Sequence, residues 1–150
     1  MQTQDDHVGR GEAGFTVIEL LVVILIIGIL ATIAIPSFLN QTSKATDASA
    51  KELAHNAQID AETYATDHGG SYVGLSASVL KQNDATLQTV SGSGNAYVSG
   101  VTNTSATGYT ITTAPSRGNE TFSVTRSNGL TTRTCTPTSG TQGACHNGTW

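Results

Sequence analysis

The chain has 150 residues, a formal net charge of -4 and only 12% charged side chains. That length suits one small domain beside one further segment. The acidic balance excludes a broad basic surface for nucleic acid.

In chain order, the first strong signal is residues 15–35, which are nearly all aliphatic. A bilayer span needs about 20 apolar residues, so the run is long enough to cross. Glu19 is the one carboxylate inside it. Each central aliphatic residue favours insertion by about 0.3–0.6 kcal/mol and a central acid costs about 3 kcal/mol. The run therefore inserts in spite of Glu19, which sits near its end where the cost falls. A conventional cleaved signal fits poorly, because its apolar region runs about 7–15 residues. Ala31-Thr32-Ile33-Ala34 also has the wrong spacing for the usual small-residue cleavage site. An uncleaved membrane anchor is the competing reading.

Helical pattern continues through residues 40–68, which contain no Gly or Pro. At 100° per residue, Ala50, Leu53, Ala57, Ala61 and Tyr64 share one face, extended upstream by Ile35, Leu39 and Thr46. Lys51, Glu52, Asn56 and Asp60 fall largely outside it. Gly69-Gly70 supplies a stop. One helix over about residues 15–68 would be about 80 Å long, too long for one small domain to cover, so its first half needs lipid or other chains. Pro36 lacks an N–H and its ring opposes the carbonyl of Thr32, while Gly28 is a poor helix former. Residues 28–36 are thus the soft section.

Beyond the helix the chain turns rich in Thr, Ser and Gly. A connector with a short helix over 76–81 is expected, and Ser91-Gly92-Ser93-Gly94 reads as a loop without the strand–helix context of a phosphate site. Alternating β-like runs follow at 96–102, 109–113, 121–126 and 130–134. Ser127-Asn128-Gly129 makes a hairpin turn between the last two. The predicted fold is α+β, a long helix packed on a small antiparallel sheet. Two cysteines, Cys135 and Cys145, lack zinc-ligand number. In an exported domain they read as a disulfide closing a short loop, worth about 3 kcal/mol. In a cytoplasmic one they would be free thiols.

No catalytic arrangement is visible. His7, His55, His68 and His146 have no metal-ligand spacing, and no serine sits in a nucleophile elbow. Asp60, Glu62 and Asp67 read as a solvated helix face. No clustered carboxylates suggest a calcium site in the C-terminal region, and no cofactor is expected. Asn103, Asn119 and Asn147 each begin an N-x-Ser/Thr triplet, which composition alone does not make functional.

The stretch Gly14-Phe15-Thr16-Val17-Ile18-Glu19-Leu20-Leu21-Val22-Val23, with the aliphatic run on to Pro36, resembles the N-terminal signature of type IV pilins and pseudopilins. The resemblance covers about a quarter of the chain. It implies a leader of residues 1–14, removed between Gly14 and Phe15 by a membrane aspartate protease that also methylates the new amine of Phe15. The leader departs from the usual basic type, with Arg10 its one basic side chain against Asp5, Asp6 and Glu12. Further segments follow from the same likeness: a membrane and filament-core helix over 15–36, an amphipathic helix over 37–68 and a β-rich head over 69–150 carrying a C-terminal disulfide loop.

The implied role is structural, a subunit of a type IV pilus assembled with copies of itself. Partners would be the prepilin peptidase, the pilus assembly machinery and, before assembly, the bacterial cytoplasmic membrane, crossed once with the head outside. Glu19 would then pair with the cationic Phe15 amine of a neighbouring subunit and fix axial register, and residues 28–36 would unwind on assembly. The alternatives are a pseudopilin of a secretion or DNA-uptake machine and, from another class, a membrane-anchored binding domain.

Overall fold

The computed structural model describes residues 14–92, 94–137 and 144–150. Residues 1–13 of the expected leader, with His7 and Arg10, lie outside them, as does Ser93 of the expected loop. The structure is α+β. A helix α1 (Val17–Asp67) is followed by α2 (Ala77–Asn83), β1 (Ala96–Thr102), β2 (Gly108–Pro115), β3 (Thr121–Ser127) and β4 (Leu130–Thr136). Residues 14–37 and 38–150 belong to two compact units.

In the first unit, α1 begins behind Thr16 and runs through Gly28 without interruption, and Pro36 lies inside the helix. The Thr32 hydroxyl donates to the Gly28 carbonyl at 2.8 Å. A polar side chain within the apolar run thereby spends its proton on the backbone, which matters where no water competes. Ile35 is 58% exposed.

In the second unit the stripe starts at Thr46 and takes in Ala50, Ala54, Ala57, Ala61, Tyr64 and Ala65, all buried. Leu53 is only half-buried, and Ala54 and Ala65 were not foreseen. Methyl-sized side chains let the sheet approach the helix closely. The volume is supplied from the other side by Val98, Tyr109, Ile111, Phe122 and Val124, with Tyr72, Leu75, Leu80 and Leu87 of the connector. Small facing large is how an interior reaches crystal-like density. The fully buried Thr113 hydroxyl donates to the Ala50 carbonyl at 2.8 Å, so a polar group in the core is satisfied while joining helix to sheet. At the helix end, Gly69 (φ 65°) takes the left-handed conformation and the Gly70 N–H returns to the Ala65 carbonyl at 2.7 Å, as in a Schellman cap.

The sheet has strand order β1-β2-β3-β4, antiparallel throughout. The period-2 alternation sends Tyr109, Ile111, Phe122 and Val124 inward and leaves hydroxyl side chains on the outer face, where Thr110 meets Thr125 and Thr112 meets Ser123. The β3–β4 turn uses Asn128 (φ 49°) and Gly129 (φ 85°), the two positive φ values of a type I′ hairpin. Strand β2 is longer than expected, Gly108–Pro115, because β3 supplies ladder partners from Gly108 to Thr113 and β1 carries the ladder on to Pro115. Helix α2 lies at Ala77–Asn83 with Ser76 as its cap.

The solvated face assigned to Asp60, Glu62 and Asp67 needs correction. Asp67 is exposed, but Asp60 is half-buried, and burial followed by the charge of Asp84 raises its pKa. Glu62 accepts hydrogen bonds from Tyr72 Oη at 2.7 Å and Tyr109 Oη at 3.0 Å, and pairs with Arg126 at 3.3 Å. It joins α1, the connector and two strands. Bonds to a charged group contribute about 1.5–3 kcal/mol each, and an orphaned partner costs more than the bond itself. Glu62→Ala is therefore expected to lower unfolding free energy by about 2–3 kcal/mol, and Glu62→Gln by less because an acceptor survives. Denaturant titration of the full chain in detergent reads both, and equal stability of all three would show the network idle.

Candidate functional site

The residues singled out for processing and assembly lie together at the start of α1. Gly14 and Phe15 are in non-helical backbone before it. Phe15 is 86% exposed. A Cβ placed on Gly14 would meet nothing within 4 Å among the described residues, so those residues make no steric demand for glycine there.

Glu19 is already engaged within the chain. Its Oε2 accepts from the Thr16 N–H at 2.9 Å and from the Thr16 hydroxyl at 2.8 Å, while the Glu19 N–H donates to Thr16 Oγ1 at 3.3 Å. This is a reciprocal capping box, in which two otherwise orphaned N–H groups find acceptors. The carboxylate also sits in the first turn, where the helix dipole favours negative charge. Thr16 is the cap of α1, a role the sequence reading missed. Its signal, Thr-x-x-Glu at a helix start, was in plain view but overshadowed by the aliphatic run.

Along residues 17–35 the large side chains face outward, from Val17 at 81% to Val22 at 44% exposed. This is the one helix among the described residues long and apolar enough to cross a membrane. Around Gly28 the surface dips into an open apolar notch of about 440 Å³ lined by Leu21, Ile24, Leu25, Gly28, Ile29 and Thr32. A Cβ on Gly28 would meet no side chain or more distant backbone of the described residues within 4 Å. The glycine shapes an outward recess.

At the other end, Cys135 and Cys145 form a disulfide with their Cα atoms 5.7 Å apart. The segment behind it is fastened to the sheet by Cys135 N–H to the Gly148 carbonyl, 2.9 Å, and by Trp150 packed edge-on to Phe122. It is fastened to α1 by Lys51 Nζ donating to the Ala144 carbonyl at 2.6 Å. Glu120 Oε2 accepts from the Ala144 N–H at 3.2 Å. These fastenings bring together positions far apart in sequence, and no local pattern announced them. His55 is exposed, and His68 stacks on Tyr64 with Nδ1 at 2.8 Å from the Tyr64 carbonyl. Among the described residues no group of three or more His, Cys, Asp and Glu could hold a metal ion.

Comparison with known proteins matches residues 9–35 to the prokaryotic N-terminal methylation motif. The type IV major pilin protein PilE1 of Neisseria gonorrhoeae is 40% identical over 58 residues, 39% of this chain and 35% of that protein. A fimbrial protein of Neisseria meningitidis serogroup B is likewise 40% identical over 58 residues, 34% of its length. The chain thus spans about a third of these Neisseria relatives. The type IV wide pilus major component PilA4 of Thermus thermophilus is 38% identical over 94 residues, 59% of this chain and 71% of the relative. No solved structure matches the chain.

Proposed function

The chain belongs to the type IV pilin family, and from that premise we propose that it is a structural subunit of a type IV pilus. The observation that carries the reading is the outward aliphatic surface of residues 17–35 with its single acid. Fully burying one Leu, Ile, Val or Phe side chain is worth about 1.5–3 kcal/mol, so a helix bearing this many must be covered at every stage. Before assembly the bilayer covers it, with the chain crossing the bacterial cytoplasmic membrane once and the head outside. In a filament, copies of the same helix cover it. Lipid tails are as apolar as these side chains, so helix–helix contact in the membrane rests on shape, and small residues mark where helices approach. The notch at Gly28 suits such an approach by a second copy.

The family likeness supports removal of residues 1–14 by a prepilin peptidase at the Gly14–Phe15 bond and hand-over of the mature chain to the pilus assembly machinery. Residues 28–36 would unwind on assembly. Pro36 deprives the Thr32 carbonyl of its helical donor and Gly28 weakens the other end of the stretch. Unwinding takes the rise from ~1.5 Å toward ~3.3 Å per residue. The pilin family is structural, and no catalytic role is assigned.

Sheared surface filaments are the direct test. Mass spectrometry of their subunits should find a chain beginning at Phe15 with one added methyl group, and deletion of the gene should remove the filaments. Surface filaments unaffected by the deletion, beside a lost secretion or DNA-uptake phenotype, would move the chain to the pseudopilins. Failure of any prepilin peptidase to process it would favour a membrane-anchored binding domain.

A further inference from the structure

Asp47 is buried on α1, only 2% exposed, and its Oδ2 has no hydrogen-bond partner among the described residues. Glu120, on the β2–β3 connection, is 8% exposed. Two carboxyl groups are thus withdrawn from water side by side. The charged groups acting on Asp47 are Glu120 from that connection and Lys51 from α1 itself. The C-terminal segment contributes the backbone N–H of Ala144. Lys51 Nζ spends its short bond on the Ala144 carbonyl and lies over the rings of Phe122 and Trp150, 5.3 and 5.9 Å from their centres. One cation cannot neutralise two buried anions, and an ionised carboxylate oxygen without a donor is costly in such a place. A proton on Asp47 removes both difficulties. It leaves one negative charge for Lys51 and turns an acceptor without a donor into a donor facing the Glu120 carboxylate.

We propose that Asp47 and Glu120 share one proton that latches the C-terminal segment, residues 144–150, onto α1, and that losing this proton loosens the segment. The latch works through Ala144. Its N–H is held by Glu120 and its C=O by Lys51, so one peptide unit reports the charge state of the pair. With the proton bound, Glu120 stays seated under Ala144. Without it, two anions repel across a buried contact, and the group that can move toward water is Glu120 on its loop rather than Asp47 on the helix. The disulfide keeps the segment tethered at Cys135 whichever way the proton goes.

Burial foremost, and then the charge of Glu120, pushes the Asp47 pKa up from 3.8 to about 6. A carboxyl with a raised folded-state pKa holds its proton where the unfolded chain has lost it. Its contribution to stability is therefore greatest below pH 3.8 and is lost as pH rises through about 6. The segment is held most firmly in acid surroundings and released on the neutral side.

Trp150 is the only tryptophan of the chain and lies in the latched segment, so its fluorescence reads the latch directly. In the full-length protein in detergent micelles, raising pH should shift its emission to the red and increase acrylamide quenching, with a midpoint near 6. Asp47→Asn keeps a neutral group of the same shape and should abolish the transition. Glu120→Gln removes the repulsion from the other side and should abolish it too, which keeps the test open if Asp47→Asn does not fold. His146 shares the segment but is not one of the two acids of the latch, so His146→Gln should leave the transition in place. A wild-type protein with no transition, a transition surviving in the Asn and Gln variants of the acid pair, or one lost in His146→Gln overturns the proposal.

Discussion

Gly14→Arg is expected to leave the chain uncut, with the full precursor accumulating in the membrane and no mature subunit beginning at Phe15. The local structure makes this a clean test. Gly14 is exposed and a Cβ there meets nothing within 4 Å among the described residues, so the substitution is expected to leave the head undisturbed. The loss would come from the peptidase, whose site must bring the Gly14–Phe15 bond to its catalytic groups. A misplacement of about 1 Å is enough to cost about 100-fold in rate, and a long charged side chain at the scissile bond is expected to prevent that seating. Gly14→Ala should fall between the two. Intact-mass measurement of membrane fractions separates precursor from product. Denaturant unfolding of the two forms of the head should coincide, and a Gly14→Arg chain cut at the wild-type rate would show that glycine is not what the peptidase reads.

Much of this architecture is legible in the sequence because it rests on periodicity. An unbroken aliphatic run reads as a span whatever follows. The alanine stripe at Ala50, Ala57 and Ala61 sits on one face at 100° per residue, and the β3–β4 hairpin is written in Asn128-Gly129. The strand ends were less legible. Gly108 looks like a breaker, yet it pairs with Ser127 inside the ladder. A Cβ there would clash with the Arg126 carbonyl, so the glycine is required by a close approach that no local rule encodes. The polar network was illegible for a different reason. Glu62 on a predicted helix looks like any solvated acid, and only the fold brings Tyr72, Tyr109 and Arg126 around it. Asp47, Lys51 and Glu120 are likewise ordinary until the chain closes over them. Local pattern places elements, whereas buried charge is a property of which elements meet.

Glu19→Ala should insert into the membrane as well as the parent chain does, or better, and should assemble at least about 100-fold less well. The acid has two possible duties and they differ in size. As the partner of Thr16 in the capping box it stabilises the helix start, and losing a cap costs about 1 kcal/mol. As the proposed counter-charge for the Phe15 amine exposed by cleavage, it prevents an unpaired cation from being buried among aliphatic helices, where the cost is several kcal/mol. Even about 3 kcal/mol lowers an association constant by about 100-fold, so the charge should dominate. Glu19→Gln divides the two duties, because the amide oxygen can still accept from the Thr16 N–H and hydroxyl but carries no charge. The expected order of filament yield is Glu19 far above Gln, with Gln little better than Ala. Thr16→Val, which removes the hydroxyl and leaves the Thr16 N–H and the acid in place, should assemble close to normally. If Gln assembles like the parent while Ala fails, the capping box is the function of Glu19 and the amine pairing is incidental. If Ala too gives normal yield and an unchanged subunit rise, the acid is a tolerated passenger in the span. Filament yield by shearing, with the rise measured from filament images, distinguishes these outcomes because insertion, capping and register fail independently.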